Sequence, residues 1–172
     1  MKHQILHPTS LLNPRTEVTI AKPTDSFLRE LYPVFKRDTS RFNIVILILK
    51  MDNDLLDSTG NQQIERDDKL DLLMALGKHM RQSMSDKGYF LDYMDPTSGL
   101  AMNSNTNVVY ADITGCERIL QMDVSTTGCC KLVSHSKWGT NIYPFTLFTT
   151  APANIILEHL KLVNLSEDKV LK

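Results

Sequence analysis

One apolar run, IVILIL within the segment FNIVILILKM at residues 42–51, limits the folds that this chain can adopt. No polar residue interrupts it between Ile44 and Leu49, and such a run of β-branched and aliphatic residues is typical of a strand buried on both faces. We therefore predict a central strand with other elements packed on each side of its sheet. The six residues IVILIL are far fewer than the roughly 20 that a membrane-spanning helix needs, so we expect a soluble protein without a membrane partner.

Two segments have the periodicity of helices. Residues 67–86 place apolar side chains along one helical face, namely Leu70, Leu73, Met74, Gly77, Met80 and Met84. Asp67 and Asp68 favour the positive N-terminal end of this helix, and Gly88 predicts a left-handed end. A closing helix is predicted at Asn154–Val163.

The N-terminal part is predicted to be less regular. Three prolines in the first two dozen residues indicate an extended lead-in with one edge strand at Glu17–Ile20. Asp25 is a candidate cap for a short helix at residues 26–35, which Pro33 would interrupt. The polar stretch after the apolar run favours turns, with another edge strand near Gln62–Arg66.

Short strands are predicted for most of the second half of the chain. Their patterns are GYFLDYM, GLAMN, NVVYA, a segment around ERILQMDV, CCKLVSH and YPFTLFTT. Together with the helices they predict an α+β fold, a largely antiparallel sheet flanked by helices. We expect a lead-in at residues 1–24, one domain at 25–165 and a C-terminal tail at 166–172.

Composition and missing motifs exclude several classes of protein. A net charge of -1 gives no electrostatic attraction to nucleic acid. Three cysteines in 172 residues argue against a secreted disulfide scaffold, so we expect free thiols in a reducing compartment. The sequence has no GxGxxG, GxxxxGK[ST], HExxH, CxxC or GxSxG motif. Cys116 is interpreted as a core residue.

The adjacent residues Cys129 and Cys130 are the strongest candidates for chemistry. A disulfide between neighbouring cysteines would be strained, so we expect both thiols to be free. In a strand, one face would carry Cys129, Lys131, Val133 and His135, and the other Cys130, Leu132 and Ser134. Leu132 then indicates a core position for Cys130, while the preceding Thr-Thr-Gly turn indicates an exposed Cys129. Lys131 and His135 would favour a thiolate, which is a nucleophile and a ligand for soft metals. The alternative is that both cysteines are small buried side chains.

Two longer motifs carry a resemblance to a known family. The segments DYMDPTSGLA (residues 92–101) and GCCKLVSHSKWGT (residues 128–140) together resemble the CblD family, the methylmalonic aciduria and homocystinuria type D proteins. The similarity extends from about Phe27 to Leu160. It implies a nitroreductase-like α+β scaffold and a non-enzymatic adaptor of intracellular cobalamin trafficking. Family members usually carry a longer N-terminal region with targeting information, so we expect this chain to be a truncated chain or a short form.

The resemblance also implies a partner and a cargo. The CblC processing protein holds cobalamin, and CblD forms a heterodimer with it that directs cobalamin toward cytosolic methionine synthase or mitochondrial methylmalonyl-CoA mutase. The family's Gly-Cys-Cys motif implies that Cys129 bonds the cobalt of cobalamin, with Cys130 as a backup thiol or a core residue. We therefore expect cobalamin to be held mainly by the partner, no flavin, and a cytoplasmic location with a mitochondrial pool for longer forms.

The roles of the remaining motif residues have structural alternatives. Lys131 and His135 are candidates for tuning the thiol or are structural residues, and Trp138 is a core anchor or an interface residue. Asp95 and Ser98 are interpreted as parts of a turn rather than as catalytic residues. The alternative function is a thiol- or flavin-dependent oxidoreductase on the same scaffold, and self-association is a further expectation from fold analogy.

Overall fold

The structure, a computed structural model, describes residues 3–53, 60–128 and 130–163. Within these residues the chain forms seven strands and four helices. The strands are β1 (His3–Asn13), β2 (Thr16–Lys22), β3 (Asn43–Lys50), β4 (Leu91–Tyr93), β5 (Asp123–Thr127), β6 (Cys130–Ser134) and β7 (Ile142–Thr149). The helices are α1 (Asp25–Phe35), α2 (Gly60–Asp86), α3 (Asp112–Arg118) and α4 (Ala153–Leu162).

The main sheet confirms the predicted antiparallel α+β fold. Five strands pair in the order β1-β2-β3-β7-β4, and each neighbouring pair is antiparallel. Strands β5 and β6 form a separate two-stranded hairpin. The hairpin and the four helices are the elements available to cover the faces of the main sheet.

Strand β3 is buried on both faces, as its apolar run predicts. Val45, Leu47 and Leu49 belong to one hydrophobic cluster, with side chains from α2 and α4. The alternate residues Ile44, Ile46 and Ile48 belong to a second cluster, with side chains from α1, α3 and β6. Successive side chains of a strand point to opposite faces, so one hydrophobic cluster packs on each face of β3.

The two predicted helices are confirmed, but α2 is longer than its apolar pattern. It begins at Gly60, so the predicted edge strand at Gln62–Arg66 is wrong, and Asp67 lies inside the helix rather than at its start. The extra turns are rich in Gln, Glu and Arg, which favour helices, but they lack a buried stripe, since Ile64 is 62% exposed. Gly88 follows the helix with φ 78°, as predicted.

Helix α1 differs from its prediction in its N-cap residue and in its continuity at Pro33. Thr24, not Asp25, is the N-cap, and its hydroxyl accepts a hydrogen bond from the Phe27 N–H. Pro33 lies inside the helix without ending it. We attribute this to burial of the apolar face, including Val34, because packing of such a face supplies most helical stability in proteins.

Strand β2 was expected at an edge and is instead interior, between β1 and β3. Its Val18 and Ile20 are buried in the core, whereas Pro8 lies in β1, the actual edge strand. The domain limits at residues 25 and 165 stay predictions, but β2, which precedes the first limit, belongs to the same sheet as β3. The tail at 166–172 lies outside the described residues.

Some of the predicted short strands are absent from the described residues. GLAMN contributes only an isolated bridge between Met94 and Ala101, and residues 107–111 form no strand although Val108 and Tyr110 pack into the second cluster. The first part of ERILQMDV belongs to the end of α3, which was not predicted. In residues 107–111 the alternating apolar side chains belong to a loop that packs on the core and not to a paired strand.

Candidate functional site

The candidate site is centred on the β5–β6 hairpin. The strands pair as far as Thr127 opposite Cys130, and Gly128 and Cys129 connect them in the sequence. Gly128 is exposed, with a positive φ of 62° that favours glycine. Cys129 and the side chain of Cys130 lie outside the described residues, so their predicted roles stay predictions.

The faces of β6 are the reverse of the sequence interpretation. Val133 is 9% exposed and His135, just after the strand, is 5% exposed, whereas Leu132 is only half-buried. The side predicted to face solvent therefore packs on the second cluster, because the hairpin covers that face of the main sheet. Lys131 is nevertheless exposed, so strand parity does not decide the exposure of residues near the turn.

A buried carboxylate anchors the segment that follows β6. Glu17 of β2 accepts from Lys137, with Nζ to Oε1 at 2.5 Å, and its Oε2 lies 3.1 Å from His135 Nε2. The Lys137 backbone N–H donates to His135 Nδ1 at 3.2 Å. Since Nδ1 accepts a hydrogen bond, the proton of the neutral ring is on Nε2 and is donated to Glu17.

Electrostatics of this anchor favour the ionised form of Glu17. Burial would raise the pKa of this carboxyl, but the hydrogen bonds from Lys137 and His135 outweigh burial and hold the pKa below its usual value. Trp138 completes the anchor by stacking on His135, with ring centroids 4.5 Å apart and planes at 21°. Trp138 is half-buried and packs against the second cluster.

The predicted thiol-tuning residues thus occupy different environments. Both ring nitrogens of His135 are hydrogen bonded, to Glu17 and to Lys137. Lys131 is the exposed cation nearest to Cys129 in the described part of the sequence. Their effect on the Cys129 thiol stays a prediction. Reasoning from sequence missed Glu17, because its partner His135 is 118 residues away along the chain.

An open cleft of about 900 Å³ lies beside β6. Its walls come from four segments, residues 96–99, 109 with 111–113, 131–133 and 142–144, together with Arg66. The first and third segments belong to the two motifs DYMDPTSGLA and GCCKLVSHSKWGT, so the fold brings these motifs together on one cleft.

The turn at Asp95–Gly99 is confirmed as a structural feature. The Ser98 hydroxyl donates to Asp95 Oδ2 at 2.7 Å, and the Thr97 N–H donates to Oδ1 at 3.0 Å. Gly99 closes the turn with φ 69°. The Asp95 carboxylate is therefore occupied by hydrogen bonds within its own turn.

A second buried carboxyl, Asp112, lies in the wall of the cleft and was not predicted. It is 9% exposed and lies next to Thr146 of β7. Burial raises the pKa of this carboxyl to about 7, although the neighbouring Thr146 opposes the shift. A charged residue directly after the apolar NVVYA segment was the one sequence signal for it.

Cys116 is confirmed as a core residue. It is fully buried in α3, and burial raises the pKa of its thiol to about 12. A thiol with such a pKa is unreactive near neutral pH. Among the described residues, no group of three or more histidines, cysteines and carboxylates is arranged to hold a metal ion, and no helix is long and apolar enough to span a membrane.

The fold and the site define an α+β domain that presents a cysteine-containing hairpin beside an open cleft. The model of the family described as "Methylmalonic aciduria and homocystinuria type D protein" matches residues 15–161. The chain belongs to this family. The match includes β2 and both sequence motifs, so it covers more of the N-terminal part than the similarity that we identified from Phe27 onward.

Curated relatives agree with this assignment. "Cobalamin trafficking protein CblD" of Homo sapiens is 32% identical over 119 residues, which are 68% of this chain and 40% of that protein. The protein of the same name from Rattus norvegicus is 28% identical over 142 residues, 81% of this chain and 48% of the relative. The Mus musculus protein is 30% identical over 116 residues, 67% of this chain and 39% of the relative. The chain thus spans less than half the length of these relatives.

Proposed function

We propose that this protein is a non-enzymatic adaptor of cobalamin trafficking. It binds a CblC-type processing protein as a heterodimer and offers the Cys129 thiolate to the cobalt of cobalamin held by that partner. The thiol would lose its proton to solvent, and the sulfur would donate an electron pair to cobalt in exchange for a water ligand. The bound cobalamin is then directed toward methionine synthase and methylmalonyl-CoA mutase.

The family match over residues 15–161 carries this proposal. The matched range includes the Gly-Cys-Cys motif, and the relatives that contain this region are named cobalamin trafficking proteins. The described neighbours of the motif add support, because Thr126, Gly128 and Lys131 are all exposed. A ligand that must reach a metal on another protein needs such a position.

The contrast with Cys116 explains why only the hairpin is a candidate. Burial of Cys116 disfavours its thiolate. The exposed cation of Lys131 near the hairpin turn favours a thiolate. Thiolates are ligands for soft and borderline metals, so cobalt is a chemically reasonable target for Cys129.

The proposal includes a nitroreductase-like scaffold without flavin, with cobalamin supplied by the partner. The antiparallel sheet with helices on both faces is compatible with such a scaffold. We further propose a cytoplasmic protein with a mitochondrial pool for longer forms, and self-association as a secondary property. No contact among the described residues favours the oxidoreductase alternative over the adaptor.

The visible spectrum of cobalamin bound to a CblC-type partner tests the proposal. Addition of this protein is expected to shift the spectrum as thiolate binds cobalt. The shift should disappear in Cys129→Ser and persist in Cys130→Ser and Cys116→Ser. Turnover of a disulfide substrate that requires Cys129, without any cobalamin shift, would support the oxidoreductase instead. An unchanged spectrum despite complex formation on a sizing column would indicate a scaffold protein whose cysteines do not contact cobalt.

A further inference from the structure

The cleft beside β6 crosses an open edge of the main sheet. Strand β7 has eight residues, but its neighbour β4 has three and pairs only with residues 147–149. Beyond them the Met94 N–H donates to the Thr146 carbonyl at 3.1 Å, and the chain then enters the turn at residues 95–99. No described strand therefore pairs with this side of β7 at residues 142–144, which line the cleft.

The pairing of β7 fixes the direction of its backbone groups. In an antiparallel strand, the carbonyls of successive residues point alternately to the two neighbouring strands. The Asn141 carbonyl accepts from the N–H of Met51, just after β3, at 2.9 Å, whereas the Thr146 carbonyl faces β4. The carbonyls of Ile142 and Pro144 alternate in step with that of Thr146, so they point away from β3 and toward the cleft.

This edge offers hydrogen-bond acceptors without matching donors. Proline has no N–H, and the N–H of Ile142 already donates to the Thr140 carbonyl at 2.9 Å. The carbonyls of Ile142 and Pro144 are two residues apart, which is roughly 7 Å along a strand. A ligand that fits this edge must supply N–H donors at that spacing, as alternate residues of an extended peptide do.

Two exposed cations lie on opposite sides of this edge. Arg66 belongs to α2, which packs on one face of the sheet, and Lys131 belongs to β6, which packs on the other. Both are exposed, and neither forms a salt bridge within the described residues. Asp112, the remaining charged residue of the lining, is buried. The open part of the cleft thus favours a negatively charged ligand.

An extended segment in this position would meet both cations. Its successive side chains alternate between the two faces, so one would approach Arg66 and the next would approach Lys131, and two neighbouring carboxylates fit this arrangement. The walls beside them are apolar, with Ile113, Leu132 and the 62% exposed Val109. Two copies of this edge cannot pair with each other, because acceptors would face acceptors and cations would face cations. The chemistry therefore indicates a segment of a different protein.

We propose that the cleft is a docking site for an extended acidic segment of the CblC-type partner, which adds a short strand to the free edge of β7. The inference rests on the proposed function for the identity of the partner, and it does not involve the cysteine pair. It assigns the partner interface to the cleft on which the two sequence motifs meet.

Charge reversal in α2 tests the electrostatic part of the inference. The affinity of this protein for the cobalamin-loaded partner is measured by isothermal titration calorimetry. Arg66→Glu should raise the dissociation constant at least about tenfold, because an attraction becomes a repulsion. Arg81→Glu changes an exposed arginine of the same helix that lies outside the cleft. This matched control should bind like the wild type.

Photo-crosslinking identifies the segment that occupies the cleft. The photoreactive residue p-benzoylphenylalanine replaces Val109, whose exposed side chain lies in the cleft wall, or Leu162, which is also exposed but lies in α4 outside the cleft. Only the probe at position 109 should cross-link to a partner peptide with neighbouring Asp or Glu residues. In the complex, hydrogen exchange should slow at two amides of that peptide that are two residues apart, since these bond the carbonyls of Ile142 and Pro144.

Three results would overturn the inference. Equal affinities of Arg66→Glu and the wild type, with an intact complex, would exclude the docking site and leave the proposed function standing. A cross-link from position 109 to a second copy of this chain would assign the cleft to self-association. The absence of any complex between the wild type and the partner would contradict the proposed function and the inference together.

Discussion

Glu17 is the residue whose contacts connect the main sheet to the segment after the cysteine hairpin. We predict that Glu17→Gln lowers the free energy of unfolding by about 1–2 kcal/mol near neutral pH, because it weakens the hydrogen bonds that Glu17 accepts from His135 and Lys137. The folded-state pKa lies below the usual 4.5. The contribution of Glu17 is therefore complete above about pH 4.5 and is lost as the pH falls through the folded-state pKa. Urea unfolding at neutral and acidic pH measures this difference.

Glu30→Gln is the matched control, because Glu30 pairs with Arg118 at an exposed position. Surface ion pairs contribute little, so this variant should unfold like the wild type near neutral pH. A Glu17→Gln variant as stable as the wild type at neutral pH, or a difference that grows in acid, would contradict the anchor.

At the residue scale, sequence was sufficient for local features only. The turn at Asp95 and the position of Cys116 in the core follow from local residue types, and the structure confirms both. The pairing of Glu17 with His135 and the burial of Asp112 depend on elements distant in the chain. No local pattern encodes such contacts, and strand parity misassigned the faces of β6 because it cannot tell which face the fold covers.

At the element scale, the packing of α2 on β4 gives a sharp prediction at Gly77. A Cβ there would lie 2.5 Å from a ring carbon of the buried Tyr93. Alanine favours a helix interior by about 1 kcal/mol over glycine, but overpacking costs about 1–3 kcal/mol. We expect Gly77→Ala to destabilise the protein in chemical denaturation despite its better helix propensity.

Gly60→Ala in the same helix separates the two effects, since no atom lies within 4 Å of a Cβ built there. It should be neutral or slightly stabilising. If Gly77→Ala were also stabilising, the close approach of α2 to β4 would be contradicted.

Elements with a strong apolar pattern were predictable, and elements without one were not. Strand β3 and the apolar part of α2 follow directly from their sequences. The first turns of α2 expose most of their side chains, so they carry no periodic signal. Helix α3 spans only seven residues and includes Gly115, which is unfavourable in helices. Its stability depends on packing against the sheet rather than on its own sequence.

At the scale of the whole molecule, the position of β2 in the sheet makes the N-terminal region part of the fold. A chain that begins at residue 25 would lose an interior strand and its buried Val18 and Ile20. We predict that it shows no cooperative thermal unfolding, whereas a chain that begins at Pro14 and lacks only the edge strand β1 does. A cooperative transition in the shorter chain would instead support a domain that begins at residue 25.

The antiparallel α+β class was predictable because apolar runs and short strands set the layers of the fold. The order of strands was not, since β3 pairs with both β2 and the distant β7. The fold also brings the two family motifs onto one cleft. The resemblance indicated the motifs, but only the fold showed that they are neighbours.

The central claim is a bond between Cys129 and the cobalt of cobalamin held by a CblC-type partner. X-ray absorption at the cobalt edge of the ternary complex tests it most directly, because sulfur and lighter ligands scatter differently. We predict a sulfur ligand to cobalt with the wild type and with Cys130→Ser, and only nitrogen and oxygen ligands with Cys129→Ser. A complex that forms with the wild type but contains no cobalt–sulfur bond would contradict the claim.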